Sequence, residues 1–244
     1  MAHASCAMEA DTICARMSSS LESTPIMGLC NDTKRILLNG YTGMLPSTDP
    51  FPLGPGFRFK LNAESHRLPD NVSFAEGALL EPLSVVMNGI RSAGLSLGRG
   101  VVVCGAGPIG LIALAAARAS GAHPVVITDI DPGRLAFARK FVPSCMTYQV
   151  NPQLDAEGNG RAIKALFGSE EYFAPETVLE CTGVESSICT ATFTARRGGT
   201  VMVIGVGKPT INNIPFMHIS LAEVRGLLPF QSNSSKCSIL TLSP

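Results

Sequence analysis

The sequence has no tryptophan, so the fluorescence of a bound ligand would be uncluttered by the chain's own. It has no surplus of either charge, with 19 basic and 19 acidic residues, a formal net charge of zero and no run of one sign. A nucleic-acid groove or an anionic membrane surface calls for such a surplus, so both are excluded as partners. No apolar stretch reaches the roughly 18 residues of a membrane-spanning helix. The first twenty residues have no positive start followed by an apolar run, which excludes a secretory signal. The eight cysteines have no regular spacing, and Cys104 and Cys181 sit in apolar, strand-like runs. They read as free buried thiols in a reducing cytosol. The cytoplasm is the expected compartment, and the N-x-S/T matches at Asn31, Asn71 and Asn233 are then chance. At 244 residues the chain can form one large or two small domains around a real core.

What is present concentrates between Val101 and Asp131, VVVCGAGPIGLIALAAARASGAHPVVITDID. Val101–Cys104 suits a central strand. Gly105-Ala106-Gly107-Pro108-Ile109-Gly110 follows at G-x-G-x-x-G spacing, and an Ala-rich helix runs to about Ser120. A second strand over 125–128 leads into Asp129, 19 residues beyond Gly110. This is the layout for binding a dinucleotide. Gly105 permits the tight turn. Gly107 lets backbone amides approach the pyrophosphate, and Gly110 lets the helix pack on the sheet. Free amides at the helix N-terminus face the phosphates. Asp129 can accept hydrogen bonds from both ribose hydroxyls and would repel a 2′-phosphate. NAD is therefore favoured over NADP, although Arg134 could neutralise a phosphate.

Residues 1–40 show no sustained period and are left unassigned, with a short amphipathic helix and disorder both open. From Tyr41 to Pro69, Pro and Gly punctuate every few residues around a strand-like FRFKL, giving loop and edge strand. Ser73 with Glu76 predicts a capping box. A helical face of Leu79, Leu83, Val86, Met87 and Ile90 follows, with Pro82 expected to separate two segments and Glu81 at the break. Helices are predicted over 134–141, 151–167 and 184–197, and strands over 146–150, 177–181 and 201–204. This alternation implies an α/β, doubly wound parallel sheet of the Rossmann type. Ligands bind beyond the carboxyl ends of such strands, where Gly105, Asp129, Thr182 and Val206 lie.

The strings LPDNVSFAEGALLEPLSV, VCGAGPIGLI, VITDIDPGRLAFA, LECTGVESSI, GGTVMVIGVGK and IPFMHIS resemble the medium-chain, zinc-type dehydrogenase/reductase superfamily. Within it they are similar to the polyol branch of arabinitol, xylitol and sorbitol dehydrogenases. The resemblance runs from about Arg67 to about Val224. It implies a Rossmann domain over 73–228, preceded over 41–72 by a remnant of a β-rich, GroES-like catalytic domain. Gly105, Gly107, Pro108, Ile109 and Gly110 would hold the pyrophosphate and adjoining ribose. Asp129 would bind the adenosine ribose, with Ile130 and Arg134 flanking the adenine. Cys181, Thr182, Ile204, Gly205 and Val206 would line the path to the nicotinamide. Glu81 corresponds to a glutamate beside the catalytic zinc, making it both the catalytic and the metal-contacting candidate. The implied cofactors are NAD and zinc, and the implied chemistry is oxidation of a small polyol to a ketone with hydride transfer to NAD.

The sequence also departs from that pattern. Neither Gly-Cys-Gly-Ser-Asp nor Gly-His-Glu occurs, and the four closely spaced structural-zinc cysteines are missing, Cys30 being alone in its neighbourhood. A catalytic zinc needs about three protein ligands, so Glu81 alone cannot hold one. His66 reads as structural. After LAEVR the tail 229–244 diverges, and the sheet is expected to lose its sixth strand and expose an edge. Three readings follow: a polyol dehydrogenase impaired by loss of zinc ligands, a non-catalytic NAD-binding module, or a decayed product. A homo-oligomer, or a hetero-oligomer with a full-length paralogue, fits the first two.

Overall fold

The computed structural model describes residues 69–227 and three short segments, Leu29–Cys30, Arg35–Leu37 and Ser65–Arg67. The expectations for the rest of 1–68, FRFKL among them, and for 228–244 lie outside the described residues. The chain divides into two compact units, Met1–Ser84 and Val85–Pro244.

In the first unit, β1 (Leu29–Cys30), β2 (Arg35–Leu37) and β3 (Ser65–Arg67) form a small antiparallel sheet in that order. His66 stands in it opposite Ile36. Helix α1 (Phe74–Ala78) starts with the predicted capping box. The Glu76 amide donates to Ser73 Oγ at 3.2 Å, and Ser73 N–H donates to Glu76 Oε2 at 2.8 Å. These bonds hold the Glu76 carboxyl below its usual range. Helix α2 (Leu80–Ala93) follows after a single residue, Leu79. The break therefore falls at Leu79 and not at Pro82. Pro82 is the third residue of α2, where a backbone N–H would have no partner within the helix, so the ring costs no hydrogen bond.

In the second unit, six parallel strands run in the order β6-β5-β4-β7-β8-β9. They are β4 (Val101–Cys104), β5 (Val125–Asp129), β6 (Met146–Gln149), β7 (Thr177–Glu180), β8 (Thr200–Val203) and β9 (Arg225–Leu227). Every residue of β4, β5 and β7 is buried, as expected for central strands covered on both faces. Helices α3 (Pro108–Ala119), α4 (Pro132–Phe141), α5 (Ala156–Ala165), α6 (Glu185–Thr194) and α7 (Phe216–Leu221) make the crossovers. One core cluster joins Val102, Val126, Val178 and Val201 to Ile163, Ala191 and Val224. Each such valine side chain is worth about 1.5–3 kcal/mol relative to exposure.

Several predicted bounds shift by one or more residues, and one expected loss does not occur. Helix α5 starts at Ala156 because Asp155 caps it, its carboxylate accepting from Gly158 N–H at 2.7 Å. Helix α6 stops at Thr194 because Ala195 is extended and the Arg196 amide donates to Pro175 O at 2.9 Å. The sixth strand, expected to be lost, is present: β9 pairs with β8 from Thr200↔Arg225 to Met202↔Leu227. Ala222 and Val224 are buried in the core and the Arg225 amide donates to Gly199 O, which delivers the backbone into register. A ladder needs only backbone groups, so a divergent side-chain sequence past Arg225 does not prevent it.

The chain leaves β4 for β5 and β6 on one side, then returns to β7, β8 and β9 on the other. The order reverses between β4 and β7, which puts the ligand crevice beyond their carboxyl ends.

Candidate functional site: a crevice at the sheet's carboxyl edge

The glycine turn begins where β4 ends. Gly105 has φ +96°, and its amide donates to Thr128 O at 2.8 Å. A side chain at that φ is strained, which explains the glycine. Gly110 meets a different constraint: a Cβ there would lie 1.8 Å from Gly105 O. Helix α3 can approach the turn so closely only without it. At Gly107 an added Cβ would have nothing within 4 Å. Packing within the protein therefore does not account for that glycine.

Gly107 is the N-cap of α3, makes no side-chain cap bond, and is followed by Pro108 at the first helical position. Proline has no N–H there, and the amides of Ile109 and Gly110 have no partners within the helix. Those donors, with the positive end of the helix dipole, make an anion seat at the mouth of the turn.

Asp129 ends β5 with 7% of its surface exposed. Its Oδ2 accepts from the Ala106 amide at 2.8 Å, and its Oδ1 from the Asp131 amide at 2.9 Å. Asp129 thus fastens the glycine turn to the tip of β5. A carboxylate offers about four acceptor positions, so these two amides leave capacity for further donors. Arg134 Nη1 stands 3.8 Å from Asp129 Oδ2, and Arg134 Nε stands 4.0 Å from Asp131 Oδ2. The arginine, half exposed, is shared between two acids. Beside it Ile130 is 73% exposed.

Beyond β7 and β8 lie the segments 181–184 and 204–207. Cys181 and Thr182 are partly buried, and the Cys181 amide donates to Cys104 O at 2.9 Å. The Ile204 and Gly205 amides both donate to Glu180 O, at 2.7 and 2.9 Å. The two segments touch backbone to backbone: a Cβ on Gly207 would lie 1.7 Å from Gly183 O. Val184 and Val206 project at the rim, 55% and 96% exposed. A cavity of about 460 Å³ opens next to Val184, lined by Glu185, Cys189, Phe193, Asn213 and Pro215. Glu185 accepts from the Asn213 amide at 3.2 Å and from Asn213 Nδ2 at 2.6 Å, which holds the 208–215 connection against the start of α6.

The structure therefore brings the glycine turn, Asp129, Ile130, Arg134, Cys181, Thr182, Ile204, Gly205 and Val206 to one edge of one sheet. Residue-type reasoning missed Glu180, Gly183, Val184 and Ser187. The one signal in the sequence was an acid closing the buried strand TVLE.

The sequence profile of the zinc-binding dehydrogenase family matches residues 108–236, more than half of the chain. The chain belongs to this family. The L-arabinitol 4-dehydrogenase of Aspergillus oryzae is 51% identical over 164 residues, which cover 65% of this chain and 42% of that protein. The sorbitol dehydrogenase of Bos taurus is 42% identical over 167 residues, 68% of this chain and 45% of that protein. The chain spans about half the length of the curated relatives it matches. Among solved structures, galactitol-1-phosphate dehydrogenase from Escherichia coli shares the fold with a TM-score of 0.60 at 24% identity. The match covers 71% of this chain and 48% of that one.

Zinc-binding dehydrogenases imply a metal, and the described residues do not fit one. Among them, no three His, Cys, Asp or Glu side chains gather into a metal-holding group. Glu81, in the first turn of α2, is half-buried, and burial pushes its carboxyl above the usual range. These residues therefore support no chemical step through a metal. Among the described residues, no helix is long and apolar enough to cross a membrane.

Proposed function

We propose that this chain binds NAD at the carboxyl edge of its parallel sheet and derives from polyol dehydrogenases that oxidise a secondary alcohol to a ketone. The observation that carries the cofactor reading is Gly107. It is a helix N-cap with no cap bond and open space where a side chain would stand, next to an acid at the tip of the second strand.

The pyrophosphate would lie against Gly105, Gly107, Pro108, Ile109 and Gly110, held by the free amides of α3. Asp129 would accept hydrogen bonds from the adenosine ribose, with Ile130 and Arg134 flanking the adenine. A 2′-phosphate would meet Asp129 and Asp131, and Arg134 is already paired with both; this favours NAD over NADP. Cys181, Thr182, Ile204, Gly205 and Val206 would line the nicotinamide half. When bound, NAD supplies the ring carbon that accepts a hydride. Val184 and Val206 would exclude water from that face.

Two relatives are named for L-arabinitol and sorbitol, which supports a small polyol as the substrate class. Turnover by these described residues is impaired on this reading, because Glu81 has no companion ligands among them. The assay is NADH formation from L-arabinitol, xylitol and sorbitol by the purified chain, before and after chelation. The expected result is NADH binding that survives chelation and turnover no greater than background. Zinc-dependent turnover would contradict the impairment. Absence of NADH binding would contradict the cofactor site.

A further inference from the structure

We infer that Glu180 is the positioning residue for the nicotinamide half of this crevice, an inference that rests on the dinucleotide reading above. Glu180 ends β7 in the middle of the sheet and is fully buried. Among the described residues no Lys, Arg or His pairs with it; its partners are neutral donors. Oε1 accepts from the Thr182 amide at 3.0 Å, from Ser187 Oγ at 2.8 Å and from Thr182 Oγ1 in a short contact. Oε2 accepts from the Gly183 amide at 2.9 Å.

A buried acid at such a position is costly unless hydrogen-bonded on every side, and an apolar residue would pack there without that cost. What the acid adds is geometry. Its side chain gathers the backbone of 182–183, and its own carbonyl accepts the amides of both Ile204 and Gly205. Gly183, wedged against Val206 and Gly207, has φ +70°, and a Cβ on it would lie 2.4 Å from the Val206 carbonyl carbon. The segments after β7 and β8 thus form one rigid piece with Glu180 beneath it and Val184 and Val206 on its rim. The adenosine half is held by separate bonds, from the Gly105 amide to Thr128 O and from the Ala106 amide to Asp129. Thr182 also lies beside Gly105, so loosening Glu180 is expected to displace the nicotinamide half of the crevice more than the adenosine half.

The test compares NADH with ADP-ribose, which lacks the nicotinamide, in equilibrium titrations of the full chain, alongside thermal melting. In Glu180→Gln an amide NH2 replaces one acceptor and faces a backbone donor. The expected result is an ADP-ribose Kd within about twofold of wild type and an NADH Kd about tenfold weaker, the size expected for one lost buried hydrogen bond. Ser187→Ala removes one donor to Glu180 from a residue at the helix side, and should weaken NADH about threefold with ADP-ribose unchanged. It carries the test if Glu180→Gln does not fold. A folded variant that keeps the wild-type ratio of the two Kd values, or weakens both ligands equally, overturns the inference. A wild-type chain that binds neither ligand overturns the dinucleotide reading and this inference with it.

Discussion

Asp129 has two tasks in this crevice. It ties the glycine turn to β5 through the Ala106 amide, and on the proposed function its remaining acceptor capacity serves the adenosine ribose. Asp129→Ala therefore removes an anchor and a ligand contact together. NADH should bind about tenfold or more weakly, the size expected for charge-assisted hydrogen bonds, and its advantage over NADPH should shrink. A variant with unchanged NADH-to-NADPH discrimination would show that Asp129 does not select the cofactor. Asn159 is a purely structural counterpart. Its Oδ1 accepts from Tyr148 Oη at 3.0 Å and the Asn151 amide at 2.9 Å, and its Nδ2 donates to the carbonyls of Asn151, Leu154 and Asp155. Asn159→Ala removes these hydrogen bonds around a buried side chain and should lower stability by about 1–3 kcal/mol, read from the urea midpoint, with NADH affinity unchanged. A midpoint that does not move would show that the 150–155 turn is held by other means.

At the scale of elements, the last two glycines of the fingerprint are expected to separate ligand binding from folding. Gly110→Ala places a methyl on Gly105 O and must push α3 off the sheet, so the melting temperature should drop by several degrees. Gly107→Ala meets nothing in the protein, so melting should be unchanged while NADH binding falls at least tenfold, a loss of about 1.4 kcal/mol. Equal melting losses in the two variants would mean that Gly107 also serves packing. The strands, the capping box and the glycine turn were legible in the sequence because each is a local signal: β-branched runs, Ser73 with Glu76, a fixed glycine spacing. Other features needed tertiary information. Pro82 looks like a breaker until its place in the first turn of α2 is known. Helix α5 looks longer in sequence because the polar 151–155 stretch is bound into a turn by a side chain from within the helix. The sixth strand escapes sequence reading because a ladder at a sheet edge asks little of side chains. Glu180 escapes it because its partners come from α6 and from the turn after its own strand.

At the scale of the whole molecule, the thiols at the centre of the sheet couple stability to pH. Burial, with Glu180 nearby, raises the Cys104 thiol from 9.0 to about 12, and the same causes raise Cys181. A thiol whose pKa is higher folded than unfolded contributes stability that is complete below the unfolded value and is lost as pH climbs toward the folded one. The melting temperature should therefore fall from about pH 8 to about pH 10, and fall less steeply in Cys104→Ala. Identical slopes would show that other groups govern alkaline unfolding. The parallel unit rests on a six-stranded sheet, while Glu81 has no companion metal ligands among the described residues.

The most direct test of the central claim, that the sheet edge binds NAD, is a fluorescence titration of the purified chain with NADH, and with NADPH beside it. The chain contains no tryptophan, so the nicotinamide signal stands alone. Saturable binding that prefers NADH is the predicted result. A cooperatively melting protein that binds neither nucleotide would contradict it, leaving the glycine turn, Asp129 and the uncapped α3 as scaffold alone.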